Sequence, residues 1–229
     1  GGGGIFKMEE DLSSYNGPTP WSNWVILPNT THASGAVMAG GYPASMDDHE
    51  NDELLLMLMR DCGVDCFVCL QSEVNPNATE FAWRSGRAPR PYMRDARRLL
   101  AAHHAELNLP AKVDFLHLPI VDGLVTADAL VDSFCDNLIA RVAAGQCLYI
   151  HCWGGHGRTG TVVAIMLGRM FNVTIPEALN RTQVLHDVRQ IPQDCKSPST
   201  QCQRAQVKRL LGGSRKKPPG NPVPMGLPR

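Results

Sequence analysis

Short apolar runs alternate with amphipathic stretches along most of the chain. The apolar runs are largely continuous, which is typical of parallel strands covered on both faces. Strands alternating with helices predict a single α/β domain with a central, mostly parallel sheet flanked by helices. The predicted strands lie at 21–29, 35–45, 64–71, 112–123 and 146–152. The predicted helices lie at 47–63, 92–108, 126–145, from the turn after 152 to about 171, 174–190 and 197–211.

The ends of these elements carry recognisable signals. Thr126 is predicted to cap the N-terminus of the third helix, at 126–145, and Gly145 follows its end. Residues 73–91 hold Pro, Asn and Gly and predict a long loop. Trp21 and Trp24, in the first strand, are interpreted as packing anchors in preference to surfaces on which a ligand stacks.

Composition limits the kinds of protein that this chain can be. It has 229 residues, a formal net charge of zero and 43% hydrophobic residues. The balanced charge gives no reason to expect nucleic acid or a membrane as partner, and no apolar run is long enough for a transmembrane helix. We predict a flexible N-terminal segment at 1–21, one catalytic domain at 22–211 and a disordered, basic, Pro/Gly-rich tail at 212–229.

Eight cysteines lie mostly inside apolar runs, which is typical of free thiols in a reducing compartment. Together with the lack of a recognisable targeting signal, they favour a cytoplasmic location.

One segment, "LYIHCWGGHGRTGTVVAIML" at 148–167, joins a strand to a helix through a glycine-rich turn. The turn contains G-x-G-x-x-G, which is the dinucleotide-binding fingerprint, and also Cys-x5-Arg. The dinucleotide interpretation requires an acidic residue at the tip of a following strand. Glu177 lies instead at the start of a predicted helix, and little chain remains for a second half-domain. The sequence therefore favours a thiolate site.

Each residue type of the thiolate site has a chemical reason. Backbone N–H groups at the start of a helix bind anions and favour a Cys152 thiolate. Arg158 can bind two phosphate oxygens at once, and the Thr159 hydroxyl can donate to the sulfur. His151 is interpreted as a residue that orients the loop. The predicted phosphate-binding loop is Trp153, Gly154, Gly155, His156, Gly157 and Arg158.

Two side chains of this loop leave alternatives open. Trp153 either packs beneath or beside the loop or forms a wall of the pocket. His156 can carry partial positive charge near neutral pH.

Three turns follow predicted strands at the same edge of the sheet: "LQSE", "PIVDG" and "HCWGGHGRTG". Ligands of such sheets bind beyond the carboxyl ends of the strands. We therefore expect these three turns to meet in space.

The segment "HCWGGHGRTG" resembles the His-Cys-x5-Arg-[Ser/Thr] signature of the cysteine-dependent protein tyrosine and dual-specificity phosphatases. The resemblance extends over residues 22–211, through "MAGGYP", "DCGVDCFVCLQSE", "FLHLPIVDG" and "SPSTQCQRAQVKRLL". It implies a phosphatase-like fold and hydrolysis of phosphomonoesters through a phosphocysteine intermediate. Cys152 would be the nucleophile and Arg158 would bind the phosphate. Asp122, in the mobile loop at the end of the fourth predicted strand, would be the general acid.

The resemblance also implies that the reaction requires no metal and no cofactor. Gln203 matches the second glutamine of the late family segment and would position water or help to bind the phosphate. Ser199 stands where many tyrosine-specific relatives have a first glutamine, which leaves the water-positioning role open.

The expected substrate is a phosphorylated protein or peptide. The segment that forms a deep phosphotyrosine cleft in the larger classical enzymes has no counterpart here, which favours a shallow, dual-specificity site. Six arginines between 84 and 98 form either a solvated face or a basic rim for anionic substrates. With His156 they keep a phosphoinositide, or another polyanion such as an RNA 5′ end, as an alternative, although nucleic acid is otherwise not expected.

Three further alternatives remain at this point. A catalytically silent phosphoprotein-binding module would use the same fold, although Cys152, Arg158 and Asp122 are all present. A sulfurtransferase would also use a cysteine loop but has little need of Asp122 or Arg158. Cys69, in a strand predicted to neighbour that of Cys152, is either a core thiol or a partner that forms a disulfide with oxidised Cys152.

Overall fold

The computed structural model describes residues 11–30, 33–191 and 194–213. The first part of the predicted N-terminal segment and nearly all of the predicted basic tail lie outside these ranges, so the domain boundaries stay a prediction. Among the described residues, no helix is both long enough and apolar enough to cross a membrane.

In the described ranges, five strands form one sheet with the order β1-β2-β5-β3-β4. β1 pairs with β2 in the antiparallel direction, and the other neighbouring pairs are parallel. The predicted α/β fold with a mostly parallel sheet is therefore confirmed. The strands are β1 Ser22–Ile26, β2 Ala36–Gly40, β3 Cys66–Gln71, β4 Asp114–Ile120 and β5 Cys147–His151.

Seven α-helices surround this sheet in the described part of the chain. A π-helical turn, Met57–Asp61, extends the first one, and a 3-10 turn, Leu12–Tyr15, precedes β1. The helices are α1 Asp48–Leu56, α2 Glu80–Arg84, α3 Tyr92–His103, α4 Asp128–Ala143, α5 Gly157–Phe171, α6 Ile175–Asp187 and α7 Gln201–Gly212.

Apolar side chains pack on both faces of the sheet, because successive residues of a strand point to opposite faces. In β5, Leu148 and Ile150 pack with α4, α5, α6 and α7. Tyr149 points to the other face and packs with residues of α1 and α3. All residues from Arg158 to Gly168 of α5 are buried, which explains why this helix is apolar on all sides.

Three local predictions differ from the structure. The loop predicted at 73–91 contains the short helix α2, which Thr79 caps by accepting a hydrogen bond from the Ala82 N–H. The predicted Thr126 cap is wrong, because α4 begins at Asp128 without a side-chain cap. Trp21 was expected to be a packing anchor, but its side chain is 49% exposed.

Candidate active site

Three turns meet at the carboxyl edge of the sheet, as the sequence predicts. The Ser72 N–H donates to the Ile120 carbonyl over 3.1 Å, which joins the turn after β3 to that after β4. Arg158, from the turn after β5, donates to the same carbonyl over 2.9 Å. Glu73 and Asp122 both lie beside the Arg158 guanidinium. A thiol, a guanidinium and two carboxylates thus share one edge of the sheet.

The backbone of the loop after β5 is held from one side. The Tyr42 N–H donates to the Trp153 carbonyl over 2.9 Å. Arg189 donates to the carbonyls of Gly154 and Gly155 over 3.1 and 2.9 Å. Across a trans peptide the carbonyl and the next N–H point in opposite directions. The N–H groups of residues 154, 155 and 156 therefore point away from Tyr42 and Arg189.

Arg189 is a buried cation, and the sequence analysis did not identify it. It also donates to Asn23 Oδ1 over 2.9 Å, so three of its hydrogen bonds go to neutral oxygens. Burial lowers its pKa to about 10, which leaves the guanidinium charged at neutral pH. No local pattern points to this residue, because it lies 34 and 35 positions from the carbonyls that it binds.

Gly155 is required for the path of this loop. Its φ is +73°, in the left-handed region that glycine adopts most readily. A Cβ at this position would lie 2.3 Å from the Gly40 carbonyl oxygen, which belongs to the backbone of β2. Any side chain would therefore push the loop away from the sheet.

Arg158 is 1% exposed and uses several of its donors. Its two terminal nitrogens donate to the Glu73 carboxylate over 2.8 and 3.0 Å, in the two-pronged geometry that an arginine prefers. Its Nε is buried without a hydrogen-bond partner among the described residues. Buried donors are seldom left unpaired in folded proteins, so this Nε–H is available to a ligand oxygen.

Glu73 is the second residue that the sequence analysis did not assign to the site. Burial raises the pKa of its carboxyl, but hydrogen bonds from Arg158 and Gln71 outweigh this and hold the pKa below its ordinary value. The carboxylate therefore stays ionised at neutral pH and orients the guanidinium. The "LQSE" turn was predicted at this edge, and the charge of Glu73 was the available signal.

Asp122 differs from Glu73 in its surroundings. Its Oδ1 lies 3.1 Å from a terminal nitrogen of Arg158, but its side chain is 85% exposed. It lies on the rim of the same cavity as Cys152. Of the two carboxylates, Asp122 is thus the one that is free to approach a bound substrate.

His151 and Thr159 flank the loop. His151 Nε2 lies 2.7 Å from the Tyr92 hydroxyl of α3. Burial lowers the pKa of His151 to about 3, so the ring is neutral and well placed to fix the end of β5. The Thr159 hydroxyl is buried and has no partner among the described residues. Its predicted hydrogen bond to the Cys152 sulfur stays a prediction.

His156 is held by a second histidine on α6. His156 Nδ1 lies 2.7 Å from His186 Nε2, and His186 Nδ1 lies 3.0 Å from Asp187 Oδ1. Burial, followed by the charge of Arg189, lowers the pKa of His186. A neutral His186 that donates to Asp187 must accept from His156. The orientation of the His156 ring is thereby fixed, and its predicted positive charge stays a prediction.

Gln203 lies at the site and is held by hydrogen bonds to protein groups. Its Oε1 accepts from the N–H groups of Ser199 and Thr200, as part of the capping box of α7. Its Nε2 donates to the Leu124 carbonyl over 3.3 Å. The side chain lines the cavity, and most of its hydrogen-bonding capacity is used by protein groups. Its predicted role at a water or phosphate stays a prediction.

The cavity above Cys152 has a volume of about 740 Å³. Cys152 is 3% exposed and belongs to its floor. Trp153 is 62% exposed and stacks on Tyr42, with ring centroids 5.8 Å apart. Trp21 stands on the same rim. Of the two interpretations of Trp153, the structure shows the one in which it walls the pocket.

Half of the arginines in the arginine-rich stretch are paired with acidic neighbours. Three of its six arginines form ion pairs with carboxylates, mostly those of α1 and α3, and Arg94 donates to two backbone carbonyls. A basic rim is therefore left with the charges of Arg87, Arg94 and Arg97, and the choice between the two interpretations stays a prediction. The ion pairs are Arg84 with Asp48 and Glu80, Arg90 with Asp48 and Asp95, and Arg98 with Asp52 and Asp95.

The eight cysteines are free thiols. Cys69 is buried and pairs in register with His151 on the neighbouring strand. Burial raises its pKa to about 12, which disfavours the reactive thiolate. Within the described ranges, no group of three or more His, Cys, Asp or Glu side chains has the arrangement of a metal site.

A protein-family comparison matches residues 97–211, which is half of the chain. The family is described as PTP-SAK, the Swiss Army Knife protein with a DSP-PTPase phosphatase domain. The chain belongs to this DSP-PTPase family. The match contains the turn with Asp122, the whole cysteine loop and all of α7 except its last residue. The predicted family is thereby confirmed.

Curated relatives match shorter segments. An uncharacterised protein of Methanocaldococcus jannaschii, MJECL20, is 40% identical over 63 residues, which are 27% of this chain and 42% of that protein. A protein of Invertebrate iridescent virus 6, provisionally named tyrosine phosphatase 197R, is 30% identical over 79 residues, which are 33% of this chain and 30% of the viral one. The matched regions thus span less than half of these relatives.

Solved structures share the fold over most of the chain. Kinase associated phosphatase, with its catalytic cysteine substituted by serine, is 16% identical, with a TM-score of 0.57 over 87% of this chain and 100% of that one. PTPMT1 in complex with PI(5)P is 17% identical, with a TM-score of 0.55 over 84% and 95%. Tk-PTP in its active form is 22% identical, with a TM-score of 0.52 over 80% and 97%.

Proposed function

We propose that this protein is a phosphomonoester hydrolase that dephosphorylates proteins at tyrosine, and also at serine and threonine, through a phosphocysteine on Cys152. The observation that carries the proposal is the orientation of the loop backbone. Three successive carbonyls are bound by Tyr42 and Arg189, so that the three N–H groups that follow them point away from these donors. Such a nest at a helix N-terminus binds a tetrahedral anion directly above the thiol.

Arg158 supplies the remaining positive charge in this proposal. Its unpartnered Nε–H, with a terminal N–H released by Asp122, binds two oxygens of the substrate phosphate. Glu73 keeps its two hydrogen bonds throughout and holds the guanidinium in place. The charge on the transferring phosphoryl group is thus matched by donors that are already oriented before the substrate binds.

The chemical steps follow from these positions. The Cys152 thiolate attacks phosphorus and forms the S–P bond, while the P–O bond to the leaving group breaks. Asp122 gives its proton to the leaving oxygen. Water then attacks the phosphocysteine, its proton passes to Asp122, and inorganic phosphate leaves with the thiolate restored. Glu73 is unsuited to donate the proton, because Arg158 keeps it ionised.

The substrate assignment rests on the rim of the cavity. The exposed rings of Trp21 and Trp153 offer flat surfaces to an aromatic or aliphatic phosphorylated side chain and its neighbours. Neutralisation of Arg84, Arg90 and Arg98 removes much of the charge on which a polyanionic substrate would depend. A phosphopeptide is therefore favoured over a phosphoinositide or an RNA end.

The test is metal-free hydrolysis of an aryl phosphate with a chelator present. We expect turnover by the wild type, no turnover by Cys152→Ser and a large loss for Asp122→Ala, about 10²-fold or more for removal of a general acid. Phosphotyrosine peptide, phosphothreonine peptide and a phosphoinositide are then compared by kcat/KM. A higher kcat/KM for the phosphoinositide would replace the substrate assignment. A reduced, folded wild type that binds phosphopeptides without hydrolysing them would make the protein a binding module.

A further inference from the structure

One face of α7 contacts the backbone of residues 121–127, the turn that carries Asp122. Three side chains of the α7 segment donate hydrogen bonds to three carbonyls of this turn. The Cys202 thiol adds a longer contact of 3.4 Å to one of these carbonyls, that of Gly123. The pairs are Thr200 Oγ1 with Gly123 at 3.0 Å, Gln203 Nε2 with Leu124 at 3.3 Å, and Gln206 Nε2 with Thr126 at 2.7 Å.

The contact continues onto the first residue of α4. Gln206 Nε2 also lies 2.9 Å from Asp128 Oδ1, and Arg209 binds both oxygens of the Asp128 carboxylate over 2.7 and 2.8 Å. Hydrogen bonds from Arg209 and then Gln206 lower the pKa of Asp128 to about 2, so it is ionised at neutral pH. At the other end, Arg158 binds the Ile120 carbonyl. The turn is thus fixed at both ends and along its length.

Asp122 depends on this arrangement, because its own side chain is too exposed to be fixed by packing. The turn contains Gly123, which lies in the left-handed region with a φ of +72° and, because it has no side chain, can adopt many other conformations. A general acid must lie within hydrogen-bond reach of the leaving oxygen. Because packing does not fix the Asp122 side chain, the backbone of the turn determines where its carboxyl group lies.

We propose that Thr200, Gln203 and Gln206 are positioning residues that hold the Asp122 turn closed over the site, in place of the mobile loop expected from the sequence. This inference rests on the proposed phosphatase function. It adds that α7, which carries no reacting group, sets the efficiency of proton transfer to the leaving group.

Gln206 provides the cleanest perturbation. It is buried and does not line the cavity, whereas Thr200 also caps α7 and Gln203 contacts the cysteine loop at Gly157. Gln206→Leu keeps the side-chain size and removes both donors. Lys208→Gln, an exposed change on the same helix, is the matched control.

The experiment compares an aryl phosphate with a basic leaving group and one with a weakly basic leaving group, in wild-type and Asp122→Ala backgrounds. Only the basic leaving group needs a proton in the transition state. Since a well-placed general acid contributes about 10²- to 10⁴-fold, we expect Gln206→Leu to slow the basic substrate about tenfold and the other less than about twofold. In the Asp122→Ala background we expect no further loss for either substrate. Lys208→Gln should match its parent in each case.

The inference would be overturned if Gln206→Leu slowed both substrates equally. It would also be overturned if Gln206→Leu still slowed the basic substrate about tenfold in the Asp122→Ala background. Thr200→Ser, which keeps the hydroxyl, and Thr200→Val, which removes it, repeat the test at a second position. Amide hydrogen exchange separates this inference from the proposed function. The Leu124 N–H bonds the Val121 carbonyl over 3.0 Å within the turn, and we expect it to exchange faster in Gln206→Leu. If the Leu124 N–H exchanges at the same rate in Gln206→Leu and in the wild type, α7 does not hold the turn, even if the protein proves inactive. If exchange is faster in Gln206→Leu but the wild type is inactive, only the proposed function is contradicted.

Discussion

Replacement of Arg189 tests how the cysteine loop is held. Arg189→Met removes a buried guanidinium together with the three hydrogen bonds that it donates. The carbonyls of Gly154 and Gly155 then lose this donor. A hydrogen bond to a charged group contributes roughly 1.5–3 kcal/mol, and release of a buried charge offsets part of the sum. We therefore expect the free energy of unfolding to fall by about 3 kcal/mol.

The same substitution should impair activity beyond its effect on stability. With their carbonyls unbound, the peptide groups of the loop can rotate, and the N–H groups of residues 155 and 156 lose their fixed direction. Loss of one oriented donor at a developing charge costs about 10²- to 10³-fold in kcat. We expect kcat/KM for an aryl phosphate to fall roughly 10²-fold.

The assay pairs thermal unfolding with kinetics measured well below the unfolding midpoint. For a chain of this size, about 3 kcal/mol corresponds to a decrease in Tm of about 6–12 °C. Arg169→Met is the matched control, because Arg169 is also a buried arginine but bonds Asp132 and Asp136, far from the loop. It should lower Tm and leave kcat/KM near the wild-type value. An Arg189→Met protein that is folded and fully active would refute the role given to Arg189.

Three further substitutions test separate parts of the site. Glu73→Gln leaves the guanidinium of Arg158 less well oriented, and we expect kcat/KM to fall about tenfold. Because the pKa of Glu73 is lowered in the folded protein, its contribution to Tm should be present above the ordinary pKa of 4.5 and disappear as the pH falls through the folded-state pKa. Gly155→Ala should abolish activity and lower Tm more than Gly86→Ala, which has a similar φ of +72° but nothing within 4 Å of the new Cβ; equal decreases in Tm would show that strain, and not the clash, matters. Trp153→Ala should raise KM for phosphopeptides about fivefold with kcat retained, since an exposed ring contributes contact area only; an unchanged KM would remove Trp153 from the substrate site.

The fold and the nucleophile loop could be predicted because their signals are local. Continuous apolar strands, alternating helices and the Cys152 to Arg158 spacing lie within short windows of sequence. The meeting of three turns was also predictable, since parallel strands bring their carboxyl ends to one edge. The resemblance to phosphatases was needed for the phosphocysteine mechanism, for Asp122 as the proton donor and for the role of Gln203.

The residues that complete the site could not be predicted because their partners are far away in sequence. Glu73 is 85 positions from Arg158, and its turn offered a charge but no pattern that pairs it with that arginine. Gln203 matched a family position, yet its capping box and its bond to the Leu124 carbonyl depend on how α7 meets the turn after β4. Trp21 was misjudged, because an aromatic residue beside a buried strand is normally buried as well.

The measurement that tests the central claim most directly is detection of the covalent intermediate. The wild type and Cys152→Ser are mixed with an aryl phosphate, quenched in acid within the first turnover, digested and analysed by mass spectrometry. The account predicts one phosphoryl group on the peptide that contains Cys152 in the wild type, and none on that peptide in Cys152→Ser. Hydrolysis without any phosphocysteine, or a phosphoryl group that persists elsewhere in the chain when Cys152 is replaced, would contradict the proposed mechanism.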